Sequence, residues 1–505
     1  MPMTPVSRLA LALLLAFGIT GATAQPKPDH PPREAQREQQ APPNGKGILR
    51  LLPADSVTDK TVDTPQGRIA YTATAGTLPF FDQSGEQSAA VFYVAYIAKD
   101  RGPNRPLTFV FNGGPGAGSA FLNLGLVGPR HLVIGPEAKD AANARLVDNP
   151  ETWLAFTDLV LVDPVGTGWS GAAKSDEAKN FWSVRSDADA MAKAISLYVS
   201  RNNRAETPLY LLGESYGGFR AAKVANALRR EQGMNIGGIV MLSPLLEGWL
   251  TFGDDMSALH AALQLPSLAA THLEATNSFT PERLAAAEKF ALGEYLSTLA
   301  GPAPQGEAAR AFYERVARLT GLPVDGVTQA RGFVTGSFVK ALREGKVVSR
   351  YDATFAVDDP FPEQRGSRGP DPILDGVARA YGGAFAAYAR NELGFKTEMT
   401  YNLLASDIAG RWEWGGTGRA DAGVESDLRV LLAFSPNFRL LIGSGLSDLV
   451  TPYGETRYVL DHLPPTNPPG RAVLKTYRGG HMLYLDPQSR KAFTADAAAF
   501  YKAAR

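Results

Sequence analysis

Residues 208–219 read PLYLLGESYGGF and place a serine between two glycines, where a short apolar run meets a helical pattern. Residues 209–212 form an uninterrupted apolar run of strand length, which is typical of a strand buried on both faces. Apolar residues recur at helical spacing after Ser215, so the chain is expected to turn there from strand to helix. In so tight a turn the neighbouring backbone segments lie too close together for a side chain, which explains why Gly213 and Gly217 are glycines. The pattern predicts an exposed nucleophile at Ser215, and a serine that only caps a helix is the alternative.

Short apolar runs of strand length recur along the chain, and stretches with helical spacing separate them. Further strands are predicted over residues 107–111, 158–162, 236–242, 437–442 and 472–477, with a helix over residues 186–199. Residues 67–98 are rich in β-formers and are broken at DQSGEQ, which predicts an antiparallel hairpin entering the sheet. The alternation of strands and helices predicts an α/β protein with a mostly parallel central sheet and right-handed crossovers.

A second glycine-rich stretch, NGGPG at residues 112–116, follows the predicted strand 107–111. Such a loop exposes backbone N–H groups. A phosphate cradle is disfavoured, because no Lys-Ser/Thr follows the glycines and the GxGxxG spacing is not matched. An ordinary turn and an oxyanion-hole loop remain. In α/β-hydrolases one oxyanion donor is the amide after the nucleophile, here Tyr216, and the other comes from a glycine-rich loop after an earlier strand. This arrangement explains the order of the two stretches and predicts an α/β-hydrolase fold.

The character of the sequence changes between Leu246 and about Glu425, where long alanine-rich stretches have helical composition and spacing. We interpret residues 247–424 as an inserted, mainly helical cap. The catalytic domain then comprises residues 47–246 and 425–505. A separate second domain is the alternative, but strand-like sequence resumes near residue 437, which favours an insertion within one sheet.

A nucleophilic serine needs a base that takes its proton and an acid that orients the base, and in this fold the chain order is Ser, Asp or Glu, then His. Asp448 in SGLSDLVTP and His481 in RGGHMLYLDP each follow a predicted strand by a few residues. His260 and His272 lie in the predicted cap. His462 ends a helical stretch before proline, which suggests a surface or capping role. The sequence therefore predicts a triad of Ser215, Asp448 and His481.

Composition argues against several classes of function. The chain has 505 residues, of which 44% are hydrophobic, and its 51 basic side chains balance 51 acidic ones. This balance gives no reason to expect nucleic acid or an anionic membrane surface as a partner, so a peptide or a small acyl compound is the expected substrate. The chain contains no cysteine. Because clustered histidines are also missing from the sequence, no metal or other cofactor is expected.

The N-terminus carries an export pattern. Residues 1–24 combine a short segment ending in Arg8, the apolar run LALALLLAFGIT and the small-residue sequence Ala-Thr-Ala at 22–24. This pattern predicts a cleaved signal peptide and a periplasmic or secreted protein, without stable membrane insertion after cleavage. An uncleaved anchor is the alternative. Residues 25–46 are polar and proline-rich, and we expect a flexible linker there.

Five segments together resemble the serine carboxypeptidase family of α/β-hydrolases, here an exported member of bacterial type. They are NGGPG (112–116), VDPVGTGWS (162–170), GESYGG (213–218), SDLVTP (447–452) and GGHMLYLDP (479–487). The resemblance covers most of residues 70–246 and 430–500, and the cap region matches no segment of the family.

The resemblance implies a role for each matched residue. It makes Ser215 the nucleophile, His481 the base and then the acid, and Asp448 the residue that orients His481. The oxyanion hole would be formed by the amides of Gly114 and Tyr216. The positions that bind substrate, including its free C-terminal carboxylate, correspond to Asn112, Gly113 and Glu214.

This sequence departs from the family at three positions. Phe111 stands where the family usually has Trp, and Ala117 where it usually has a disulfide-forming Cys. Leu126 stands where the family has a second glutamate that helps bind the terminal carboxylate. Because leucine cannot donate that hydrogen bond, we expect weaker recognition of a free C-terminus or another donor. Arg130 is a candidate for that donor, with an exposed basic residue as the alternative.

The sequence therefore predicts an exported serine peptidase of carboxypeptidase type. An esterase or acyltransferase that uses the same triad is the first alternative. A binding protein that has kept the fold without catalysis is the second, and the complete triad argues against it.

Overall fold

The computed structural model describes residues 46–99, 102, 104–134, 141–254, 256–336, 338–364 and 369–503. All of them lie in the unit Pro42–Arg505. The predicted signal peptide and all of the predicted linker except Lys46 fall outside the described residues. Within these described ranges, no helix combines the length and the apolar character that a membrane crossing requires.

The strands account for three sheets within the described residues. They are β1 (Ser56–Thr64), β2 (Gly67–Phe81), β3 (Gln87–Ala98), β4 (Leu107–Phe111), β5 (Arg130–Val133), β6 (Arg145–Asp148), β7 (Asp158–Val162), β8 (Gly171–Ala172), β9 (Leu209–Glu214), β10 (Gly238–Leu242), β11 (Lys346–Val348), β12 (Ala356–Asp358), β13 (Arg439–Gly445) and β14 (Ala472–Tyr477). Strands β5 and β6 form one small hairpin, and β11 and β12 form another.

The central sheet has the order β1-β2-β3-β7-β4-β9-β10-β13-β14, with the short β8 paired to β3. Strands β1, β2, β3 and β7 pair antiparallel to one another, whereas the pairs from β7 through β14 are parallel. The predicted hairpin over residues 67–98 is confirmed as β2 and β3. The mostly parallel sheet confirms the predicted fold class.

Both faces of β4, β7, β9 and β10 are buried, and successive side chains point to opposite faces of the sheet, whereas the edge strand β14 is partly exposed. In β9, Leu209 and Leu211 belong to one core, and Tyr210 and Leu212 belong to the other. Helices cover each face and complete these cores. The uninterrupted apolar runs in the sequence are thus explained by burial on two sides.

The helices alternate with the parallel strands and also fill the region between β10 and β13. They are α1 (Ala120–Leu122), α2 (Val184–Arg201), α3 (Tyr216–Glu231), α4 (Gly248–Thr251), α5 (Ala258–Ala275), α6 (Pro281–Phe290), α7 (Leu296–Ala300), α8 (Gly306–Thr320), α9 (Val324–Gln329), α10 (Phe338–Ala341), α11 (Ala380–Asn391), α12 (Ser406–Arg411), α13 (Glu425–Phe434), α14 (Tyr453–Asp461) and α15 (Pro487–Ala503). Helices α2, α3 and α13 pack on one face of the sheet, and α11 and α15 on the other.

The region between β10 and β13 contributes to more than one core. Apolar residues of α5, α8 and α10 share a core of their own with β11. Residues of α11 and α13 pack instead into the two cores of the central sheet. A cap that spans residues 247–424 remains a prediction, and the structure joins its C-terminal part closely to the catalytic fold.

Candidate active site

The predicted turn from strand to helix lies at Ser215, between the end of β9 and the start of α3. Ser215 has φ 60° and ψ −127°, a strained conformation for a residue with a side chain. Its N–H donates to the carbonyl of Leu242 over 2.9 Å, which helps to hold the turn. A methyl group on Gly213 would lie 2.0 Å from the carbonyl oxygen of Gly217. A methyl group on Gly217 would lie 2.6 Å from the carbonyl oxygen of Phe111, so the close packing of the turn requires glycine at both positions, as the sequence predicted.

Asp448 and His481 follow two neighbouring parallel strands, β13 and β14. Since the carboxyl ends of parallel strands meet at one edge of the sheet, the two loops lie close to the end of β9. His481 Nδ1 is 2.9 Å from Asp448 Oδ2, and both side chains are buried. A carboxylate only accepts, so Nδ1 carries the proton and leaves Nε2 free to accept another. Ser215 and His481 line the same cavity.

The Asp448 carboxylate is fixed by its own loop. The amides of Val450 and Thr451 donate to Asp448 Oδ1 over 2.7 and 3.1 Å. The Thr451 hydroxyl lies 3.0 Å from Asp448 Oδ2 and 3.1 Å from His481 Nδ1. Thr451 was not among the predicted site residues, although it belongs to the segment SDLVTP. Its position three residues after Asp448 is the feature of the sequence from which this contact could have been predicted.

The electrostatic surroundings of His481 favour a charged imidazole. Burial works against the imidazolium, but the charge of Asp448 and its hydrogen bond, together with the carboxyls of Glu214 and Asp371, raise the pKa of His481. An imidazolium that forms when the serine loses its proton is therefore stabilised by its neighbours.

The glycine-rich loop lies directly against the turn at Ser215. A methyl group on Gly113 would lie 2.7 Å from the carbonyl oxygen of Glu214 and 2.8 Å from the amide nitrogen of Tyr216. Gly114 lines the cavity that contains Ser215. The amide of Tyr216 begins α3, where the first N–H groups have no acceptor within the helix. The two backbone segments predicted to form an oxyanion hole are thus in contact, and an oxyanion hole there remains a prediction.

Glu214 forms a buried hydrogen-bonded group beside the serine. Asn112 Nδ2 donates to Glu214 Oε2 over 2.6 Å. The Tyr484 hydroxyl lies 3.2 Å from Glu214 Oε1 and 3.1 Å from Oε2. Burial raises the pKa of Glu214 to about 7, against the opposing effects of His481, Tyr484 and Asn112. The negative charge of Glu214 raises the pKa of His481, and the positive charge of His481 lowers the pKa of Glu214.

Neither Leu126, which stands at the position of the missing glutamate, nor Arg130, the candidate donor, lines the cavity that contains Glu214. Leu126 is fully buried in the apolar core. Arg130 forms ion pairs with Asp148 and Glu392 at 2.6 and 3.2 Å and does not contribute to the lining of the Ser215 cavity. Arg130 as a replacement donor is therefore disfavoured, because its guanidinium is already paired on the hairpin β5–β6. The hydroxyl that contacts Glu214 comes from Tyr484, which sequence analysis quoted but did not interpret.

The cavity beside Ser215 is small and has mainly apolar walls. Its lining residues are Asn112, Gly113, Gly114, Ala117, Phe121, Glu214, Ser215, Tyr351, Leu374, Leu404, His481 and Met482. Its volume of about 60 Å³ is enough for roughly four to six water molecules at ~10–15 Å³ each. Tyr351, Leu374 and Leu404 come from the region between β10 and β13, and no pattern in the sequence connected them with the site.

The other histidines after Ser215 lie apart from the candidate triad. His462 is exposed at the end of α14, and its Nδ1 lies 2.7 Å from the carbonyl of Tyr458. His260 and His272 are on α5, and neither lines the Ser215 cavity. The surface role predicted for His462 agrees with this placement.

Comparisons with known proteins show partial similarity to serine carboxypeptidases. Residues 69–258 match the family model described as "Serine carboxypeptidase". A serine carboxypeptidase-like protein of Arabidopsis thaliana is 28% identical over 198 residues, which are 38% of this chain and 40% of that protein. A retinoid-inducible serine carboxypeptidase of Rattus norvegicus is 32% identical over 150 residues, which are 28% of this chain and 30% of that protein. The matched segments thus span less than half of these relatives.

The fold likeness extends further than the sequence likeness. The crystal structure of a prohormone-processing carboxypeptidase from Saccharomyces cerevisiae matches with a TM-score of 0.54 at 15% identity, covering 86% of this chain and 91% of that one. The fold of this chain is that of an α/β-hydrolase.

Proposed function

We propose that this chain is an exported serine carboxypeptidase that removes residues from the C-terminus of peptides through an acyl-Ser215 intermediate. The observation that carries the proposal is the single cavity shared by Ser215, His481 and the hydrogen-bonded pair of Glu214 and Asn112. The cavity therefore contains the nucleophile, its base and, beside them, a group that can bind a terminal carboxylate. The family match over residues 69–258 supports the same activity.

In the proposed mechanism Ser215 Oγ attacks the scissile carbonyl while His481 Nε2 takes its proton, and Asp448 holds the proton on Nδ1. The amides of Gly114 and Tyr216 stabilise the oxyanion of the tetrahedral intermediate. The C–N bond then breaks, and His481 gives its proton to the leaving amine. A water molecule, deprotonated by His481, attacks the acyl ester and releases the new C-terminus. Ser215 recovers its proton in that last step.

The carboxyl of Glu214 is the group that would recognise a free C-terminus. When protonated, Glu214 can donate a hydrogen bond to the substrate carboxylate, and when ionised it repels that carboxylate. The bonds from Asn112 and Tyr484 hold the Glu214 carboxyl in place. The apolar cavity walls formed by Phe121 and Met482 favour a small apolar side chain next to it.

A mixed peptide library, incubated with the protein and followed by mass spectrometry, tests the proposed activity. Single residues should leave successively from the C-terminus, and a fluorophosphonate probe should label Ser215. Labelling without peptide cleavage would favour the alternative of an esterase or acyltransferase. A protein that the probe does not label would favour the alternative of a binding protein without catalysis.

Export is the second part of the proposal, and it rests on the signal-peptide pattern of residues 1–24. Cleavage after Ala24 should leave Gln25 as the first residue of the mature protein in the periplasm or medium. N-terminal sequencing of protein recovered from these fractions measures this directly. A retained Met1 in all fractions would contradict cleavage and favour the alternative of an uncleaved anchor.

Discrimination between a peptide and its C-terminal amide should depend on pH. With a pKa of about 7, Glu214 is protonated below neutral pH and binds the free acid. Above that value each pH unit should raise KM for the free acid about tenfold, while KM for the amide stays flat. Cleavage rates of both peptides between about pH 4 and pH 8 measure the effect.

Two variants serve as controls for this pH dependence. Glu214→Gln keeps a donor that does not titrate, so the preference should persist above neutral pH. Tyr484→Phe removes a bond that lowers the pKa of Glu214, so the loss of preference should move to higher pH. Near-equal cleavage of acid and amide at about pH 5 would show instead that Leu126 weakens recognition of the free C-terminus.

A further inference from the structure

A short segment between β10 and β13 binds the loops that carry both Asp448 and His481. We name residues 349–353, Ser-Arg-Tyr-Asp-Ala, the 349–353 strap. The carbonyl of Arg350 accepts from the amide of Leu449 over 2.9 Å, and the amide of Ala353 donates to the carbonyl of Ser447 over 3.0 Å. These two bonds attach the strap to the residues immediately before and after Asp448.

The strap also contacts His481 itself, through Tyr351. The amide of His481 donates to the carbonyl of Tyr351 over 2.5 Å. The phenol ring packs edge-on against the imidazole, with ring centroids 5.0 Å apart and an interplanar angle of 81°. Tyr351 lines the Ser215 cavity as well. One residue thus fixes the backbone of His481, limits the tilt of its ring and forms part of the substrate space.

Two aspartates, Asp352 and Asp371, anchor the strap. Asp352 Oδ1 accepts from the Ser447 hydroxyl over 2.7 Å, next to Asp448. Asp371 accepts from the Ser349 hydroxyl over 2.6 Å and from the amide of Arg350 over 2.8 Å. Both carboxylates are bonded within the protein, so the strap is a fixed support for the loops it contacts.

We infer that Tyr351 is a positioning residue, through which the region between β10 and β13 holds His481 in register with Asp448 and Ser215. This inference rests on the proposed function, since it assigns His481 as the general base. Asp448 restrains the imidazole at Nδ1 only, which leaves the ring free to pivot about that bond. The edge-on contact with Tyr351 blocks this pivot. Proton transfer is sensitive to such displacement, because a shift of about 1 Å in a reacting group can cost roughly 100-fold in rate.

The test compares Tyr351→Ala and Tyr351→Phe with the wild type. Tyr351→Ala should lower kcat and the rate of fluorophosphonate labelling by roughly 10- to 100-fold. Tyr351→Phe restores the ring and should rescue most of the rate. Tyr313→Ala replaces a buried tyrosine of α8 in the core that also contains Ala353 of the strap, and it controls for lost packing there. It should lower the melting temperature and leave kcat near the wild-type value.

Different results would overturn the role of Tyr351 and the proposed function. A labelling rate in Tyr351→Ala equal to that of the wild type, or a failed rescue by Tyr351→Phe, would overturn the role of Tyr351. If Tyr351→Ala does not fold, Tyr351→Leu keeps apolar volume without the flat edge, and its kcat should still fall about tenfold. An unchanged kcat in Tyr351→Leu would overturn the inference. A wild type that the probe does not label contradicts the proposed function instead.

Discussion

Replacing Ser215 by alanine is expected to lower turnover by roughly five to six orders of magnitude, and replacing His481 by alanine should cost about as much. The two losses should be similar because nucleophile and base act as one unit, so removing either leaves only binding and oxyanion stabilisation. The double variant should be no slower than either single variant. The turnover of each variant relative to the wild type is measured from the hydrolysis of a chromogenic acyl substrate at known enzyme concentration.

The fold should survive both substitutions. The backbone of Ser215 holds the turn, because its N–H donates to Leu242 and its carbonyl accepts from the amides of Gly218 and Leu245. Melting temperatures should therefore stay within a few degrees of the wild type. His462→Ala is the matched control, since His462 is an exposed histidine at the end of α14. Comparable losses in His462→Ala and His481→Ala would contradict the assignment of the base.

The parallel strands could be predicted closely from sequence. Strands β4, β7 and β14 have the bounds expected for them, residues 107–111, 158–162 and 472–477. Burial on two faces requires continuous apolar residues in β4 and β7, so the apolar run marks the whole strand there, whereas β14 is an edge strand with Lys475 and Thr476 exposed. The turn at Ser215 could be predicted equally well, because its crowded backbone requires glycine two residues before and two residues after the serine.

The walls and supports of the site could not be predicted in the same way. Tyr351 lies 130 residues before His481, and no local pattern marks a residue that meets the site only after folding. The contact of the Tyr484 hydroxyl with Glu214 depends on the direction in which a loop side chain points, and this could not be predicted although the segment GGHMLYLDP was recognised. Sequence analysis also grouped residues 247–424 by helical composition, which does not distinguish α5 in its own core from α11 on the central sheet.

Replacing Asp448 by asparagine should lower turnover by about 10⁴-fold without unfolding the protein. The asparagine oxygen can still accept from the amides of Val450 and Thr451, so the loop should keep its shape. Its Nδ2 would then face His481 Nδ1, and two donors cannot share that contact. The imidazole would therefore carry its proton on Nε2 and could not accept the proton of Ser215.

The pH dependence of the residual activity distinguishes this cause from a general loss of structure. Asp448 raises the pKa of His481 by its charge and hydrogen bond. A neutral asparagine removes both effects, so the pKa of His481 should fall and the acidic limb of kcat/KM should move to lower pH. Asp486→Asn is the matched control, because Asp486 accepts from the amide of Ser489 at the start of α15, and asparagine can do the same. Activity of Asp448→Asn within tenfold of the wild type would show that Asp448 does not orient His481. In that case the carboxylate that orients the imidazole would have to be sought elsewhere, and Glu214, which also raises the pKa of His481, would be the first residue to replace.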